Sequence, residues 1–124
     1  MRKRSFALLL ALVLLLTACA KAASYEQITQ EEAKQIMDTT NGYILLDTRT
    51  QEEYDQSHIP GALLIPHTEI AERAAAELPD KDQLILVYCR SGNRSKQASE
   101  ILAELGYTNV KEFGGINTWP YEVE

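Results

Sequence analysis

Short apolar runs alternate along this chain with stretches of helical periodicity, and that alternation leaves few folds open. The runs are Tyr43-Ile44-Leu45-Leu46, Leu63-Leu64-Ile65 and Leu84 to Tyr88, and a last, more polar strand follows over Asn109 to Phe113. Each is too short for a core helix, and none shows the in–out alternation of a strand with one wet face. Between them lie helical signals. Thr29-Gln30-Glu31-Glu32 and Thr50-Gln51-Glu52-Glu53 are capping-box patterns, the first followed by Ala33, Ile36 and Met37 on one face. Thr68 is placed to cap a third helix with Ala71, Ala74, Ala75 and Leu78 as its apolar face, stopped by Pro79-Asp80. Ala98, Ile101, Leu102 and Leu105 recur at helical spacing in a fourth, closed by Gly106. Buried strands alternating with helices predict an α/β domain, a parallel sheet covered on both faces. In such sheets ligands bind at the carboxyl ends of the strands. Asp47 and Cys89 both stand at such ends, which predicts one shared crevice.

The first residues read differently. Met1-Arg2-Lys3-Arg4 is basic, Phe6 to Leu16 is apolar but short for a membrane span, and Leu16-Thr17-Ala18-Cys19 resembles a bacterial lipobox. This predicts a lipoprotein signal peptide over 1–18, a lipidated Cys19 opening a short tether over 19–27, and one domain over 28–124. The expected location is extracytoplasmic, with the chain held on a bacterial membrane by its lipid. Loss of Arg2, Lys3 and Arg4 takes the formal charge from −6 to −9. That balance argues against nucleic acid and against electrostatic docking on anionic lipid.

With Cys19 lipidated, Cys89 is the single free thiol of an exported protein, where oxidising conditions prevail. Such a thiol is an apolar filler or a working group. It ends an apolar run and opens Cys89-Arg90-Ser91-Gly92-Asn93-Arg94-Ser95, after which a helix begins. Loop amides, the positive end of that helix and two arginines all favour the thiolate, the reactive form. Arg94 at a helix start is poorly placed for the helix dipole, and an anion in the loop gives it a reason. Ser91 and Asn93 contribute through their amides, as does Ser95, whose hydroxyl can also bond the sulfur or cap the helix. Asp47 and Arg49 read as a pair that pins a loop, His58 as a turn residue, and Trp119 as a packing lid near the loop. Two histidines and one thiol at these spacings do not make a metal site.

Three sets of residues together resemble a single-domain rhodanese. They are Leu46-Asp47-Thr48-Arg49; Glu53-Tyr54 with His58-Ile59-Pro60-Gly61-Ala62; and the Cys89 loop with Phe113-Gly114-Gly115 and Trp119. The resemblance covers Ile28 to Trp119. It implies a three-layer sandwich whose mainly parallel, five-stranded sheet lies between helices. It also implies a sulfurtransferase in which Cys89 takes a sulfane sulfur from a thiosulfate-like donor, becomes a persulfide, and passes the sulfur to cyanide, a small thiol or a protein thiol. The substrate-binding residues it implies are Arg90, Ser91, Gly92, Asn93, Arg94 and Ser95, with Asp47, Arg49 and His58 behind them. No cofactor or metal is implied; a reducing or sulfur-accepting protein partner would keep such a thiol in use. Two alternatives share these motifs. One is a sulfur carrier or partner-binding module without turnover. The other is a phosphatase or arsenate reductase, whose loop has five residues between cysteine and arginine where this chain has four.

Overall fold

The computed structural model describes residues 24–124; the expected signal peptide, Cys19 and the tether as far as residue 23 lie outside them. Five strands, β1 (Glu26–Gln27), β2 (Ile44–Asp47), β3 (Leu63–Leu64), β4 (Ile85–Cys89) and β5 (Val110–Gly115), form one sheet in the order β1-β5-β4-β2-β3. Every pairing is parallel. Four α-helices connect them: α1 (Gln30–Thr39), α2 (Gln51–Gln56), α3 (Ile70–Glu77) and α4 (Asn93–Glu104).

The period of two along the strands divides the core. Ile85 and Val87 of β4, with Leu46 of β2, pack against Ile70, Ala74 and Leu78 near α3 and against Ala98 and Leu102 of α4. Leu86 and Tyr88, with Leu45, pack on the other side with Ala33 of α1, Ile59 and Phe113. All of β4 is buried, which accounts for its unbroken apolar sequence. The fold is therefore the α/β three-layer sandwich.

Both threonine caps form. Thr29 accepts from the amide of Glu32, and Thr50 makes the full reciprocal box with Glu53. Three local expectations change. Thr68 caps nothing: Pro66 opens a 3₁₀ turn over His67–Glu69, closed by the Glu69 amide donating to the Pro66 carbonyl at 2.8 Å, and Thr68 lies inside it. The buried face of α3 is Ile70, Ala74 and Leu78, because the larger Ile70 sinks inward and turns Ala71 and Ala75 to solvent. The expected tether gives Glu26 and Gln27 to the sheet as its fifth strand. Two exposed polar residues carry no strand pattern, and only the open edge of β5 makes them one.

Candidate active site

Cys89 is the last residue of β4. It follows Ile85 and Val87 on the α3–α4 side of the sheet, which puts its sulfur beneath the first turn of α4. The thiol is fully buried, at 0% exposure. The Gly92 amide donates to Sγ at 3.0 Å, and Ser95 Oγ lies 3.2 Å from it. Among the described residues these are the polar atoms bonded to the sulfur, so the loop contributes one amide and one hydroxyl. Gly92 is the N-cap of α4 with φ at +108°, a conformation that turns its amide inward and that a side chain would strain. The twelve-residue helix beyond it presents its positive end to the sulfur.

The Cys89 loop rests on the end of β5. The register there slips: Val87 pairs with Glu112 but Cys89 pairs with Gly115, so β5 takes an extra residue. This bulge brings Gly115 against the loop so closely that a Cβ on it would lie 2.0 Å from the Arg90 carbonyl oxygen. The Asn117 amide donates to that oxygen at 3.1 Å. Gln30 of α1 holds the turn from behind, donating to the Gly115 carbonyl and to Thr118 Oγ1 at 2.8 and 2.9 Å.

The two loop arginines differ. Arg94 is held by Glu53 of α2 in a two-pronged pair at 2.6 and 2.9 Å. Hydrogen bonding from Arg94 holds the Glu53 carboxyl down to about 2, against the opposing effect of burial. Arg94 thus ties α2 to α4, and its field still reaches Cys89. Arg90 is exposed and has no carboxylate partner among the described residues. A cleft of about 260 Å³ opens beside it, lined also by Arg49, Glu53, Ser57 and Asn117. Ser91 and Asn93 are exposed on the loop's outer side.

Asp47 does not share the sulfur's side of the sheet. It pairs in register with Tyr88, faces the α1–α2 side, and accepts from the Tyr88 hydroxyl at 2.6 Å. Burial and this bond raise the Tyr88 phenol far above its ordinary value. Arg49 grips both oxygens of Asp47 at 2.7 to 3.1 Å and donates to the Ser57 carbonyl at 2.7 Å. Burial works against the Arg49 charge, and Asp47 more than offsets it. Arg49 reaches the cleft beside Arg90, and Asp47 fixes it there. His58 stacks on Tyr54 at 3.8 Å and donates from Nδ1 to the Tyr54 carbonyl at 2.9 Å; its backbone exchanges two hydrogen bonds with Glu124. Trp119 packs on Phe113 and Tyr121 in the α1-side core, away from the Cys89 loop.

One buried group was not singled out by the sequence reading. Glu112 of β5 is 3% exposed and faces the same side as its register partner Val87. Its Oε2 accepts from Ser95 Oγ at 2.7 Å and from the Gly114 amide at 2.6 Å. The signal was available: in the strand 109–113, Glu112 is two residues past Val110, a carboxylate at an inward position.

A thiol at a strand end, an amide aimed at it, and a helix start above it define a site built to hold a sulfur anion. Residues 29–121 match the Rhodanese-like domain family, and the chain belongs to it. It is similar to the thiosulfate sulfurtransferase PspE of Escherichia coli (strain K12), with 48% identity over 71 residues, 57% of this chain and 68% of that protein. It is also similar to the putative sulfur carrier protein YrkF of Bacillus subtilis (strain 168), at 35% identity over 83% of this chain, and spans only 55% of that protein's length. Among solved structures, a rhodanese with anions from E. coli superposes with a TM-score of 0.62 at 41% identity, over 66% of this chain and 96% of that one.

Proposed function

We propose that this protein is a thiosulfate-type sulfurtransferase working through a persulfide on Cys89. The observation that carries the reading is the Gly92 amide, 3.0 Å from Sγ at the positive end of α4, placed to stabilise a sulfur anion before and after transfer. In the first step the Cys89 thiolate attacks the outer sulfur of thiosulfate. The new S–S bond forms as the old one breaks, sulfite leaves with the electron pair, and the persulfide keeps the negative charge. In the second step an acceptor such as cyanide or a thiolate attacks the terminal sulfur and returns Cys89 as the thiolate. Arg90, the arginine without a carboxylate partner among the described residues, holds the donor's oxyanion at the cleft; Arg94 chiefly sets the loop's position through Glu53. The similarity to PspE supports turnover, and that to YrkF supports sulfur carriage, which the same persulfide would serve. The lipobox-like Leu16-Thr17-Ala18-Cys19 supports a lipid-anchored, extracytoplasmic setting; in such an oxidising setting a free Cys89 calls for a reducing or sulfur-accepting protein as partner.

Steady-state formation of thiocyanate from thiosulfate and cyanide tests the reading. Cys89→Ser is expected to abolish it, and Arg90→Ala to raise KM for thiosulfate about tenfold, the loss of one charge-assisted contact of about 1.4 kcal/mol. Full turnover by the Cys89→Ser protein would contradict it.

A further inference from the structure

Cys89 has no solvent contact, so its proton needs a route out. The Gly92 amide is a donor and cannot take it. The acceptor in reach is Ser95 Oγ, at 3.2 Å. That hydroxyl has a single hydrogen and three further acceptors nearby: Glu112 Oε2 at 2.7 Å, the Gly92 carbonyl at 3.0 Å and the Gly114 carbonyl at 3.4 Å. Carbonyls accept hydrogen bonds but not protons. Glu112 is the base at the end of this chain.

We propose that Glu112 is the proton acceptor for Cys89, acting as a positioning residue through the Ser95 hydroxyl; this deepens the sulfurtransferase reading and rests on it. With the carboxylate ionised, Ser95 donates to Glu112 and turns a lone pair to the thiol. The Sγ–H bond then breaks as a new Oγ–H bond forms, and the original Oγ–H bond breaks as Oε2–H forms. The negative charge moves from carboxylate to sulfur with no proton exchanged with solvent. Ser95 ends as a donor to the thiolate. The Gly114 amide stays bonded to Oε2 throughout and fixes the carboxyl. The other titratable groups around Glu112 are Lys96 and Glu100 of α4, Tyr25 ahead of β1, and the Lys111–Glu26 pair on the neighbouring strands. Among the described residues none of them bonds to Glu112.

Two roles for this carboxylate have opposite signs. One that stayed ionised beside the sulfur would repel the thiolate, and its removal would speed reaction. One that takes the proton makes its removal slow it. The experiment follows Cys89 alkylation by iodoacetamide, and separately sulfur uptake from thiosulfate, from pH 5.5 to 9 in the full chain, Glu112→Gln and Ser95→Ala. Gln keeps the shape and the acceptor oxygen but cannot take the proton. The expected result is a shallow profile for the unmodified protein and a loss of ~10²-fold at pH 6 for both variants, shrinking toward pH 9. Alkylation of Glu112→Gln at pH 6 as fast as or faster than the unmodified protein would overturn the inference. Should Glu112→Gln fail to fold by circular dichroism, Ser95→Ala decides by the same criterion. Alkylation needs no sulfur donor, so failed uptake from thiosulfate by the unmodified protein removes the sulfurtransferase reading alone.

Discussion

At the scale of single residues, the site rests on two that act by opposite means. Cys89 acts through its sulfur and Gly115 through having no side chain. A Cβ on Gly115 would meet the Arg90 carbonyl and the Ser91 amide nitrogen at 2.0 and 2.6 Å, and neither backbone can move without moving the loop. Gly115→Ala is expected to lower unfolding stability by about 3 kcal/mol, the upper part of the range for overpacking. It is also expected to abolish sulfur uptake, read by urea titration and by mass spectrometry. Native-like stability with full uptake would show that the close approach does not hold the loop. The junction that holds Cys89 and Gly92 was legible from the sequence because a strand-to-helix turn announces itself through apolar run, glycine and helical period. The inward position of Glu112, two residues past Val110, follows from strand alternation, but its contact with the Ser95 hydroxyl of α4, 17 positions away, does not.

At the scale of elements, α2 is six residues long with no fully buried residue; half-buried Tyr54 packs it on the α1-side core, and polar contacts hold the rest. Thr50 caps it, and Glu53 serves both the cap and Arg94 of α4. The Glu53 carboxyl is held down to about 2 from its ordinary 4.5, first by hydrogen bonding from Arg94. A folded-state value lowered in this way stabilises the fold above about 4.5, and the contribution is lost as pH falls from there toward 2. Glu53→Gln is therefore expected to be less stable than the unmodified protein at pH 6, with the gap closing between pH 4.5 and 2.5. Urea midpoints across that range read it, and a gap that stays constant would contradict it. The caps of α1 and α2 were legible because both partners lie within four residues. The pairing of α2 with α4 was not, since Glu53 and Arg94 are 41 positions apart. The strand β1 and the 3₁₀ turn at Pro66 escaped for related reasons: the open edge of β5 makes the one, and proline geometry the other.

At the scale of the whole molecule, a parallel sheet covered on both faces gathers strand ends at one edge and places α4 to receive a charge there. Fold class, layers and the Cys loop could be read ahead because buried parallel strands have an unmistakable composition. Which side of the sheet each strand-end residue faces could not. Asp47 and Cys89 stand at neighbouring strand ends, yet the alternation of strand positions sends Asp47 to the α1–α2 side and the sulfur to the other. The opposite side supports rather than reacts: Asp47, Tyr88 and Arg49 form a buried polar brace that delivers one guanidinium to the cleft. On the proposed reading, this edge of the sheet carries a transferable sulfur on Cys89. Intact mass spectrometry of the full chain in detergent, after incubation with thiosulfate and beside Cys89→Ser, tests it most directly. The expected result is one added sulfur atom on the first protein and none on the second. No added sulfur on a protein whose Cys89 still alkylates would contradict it.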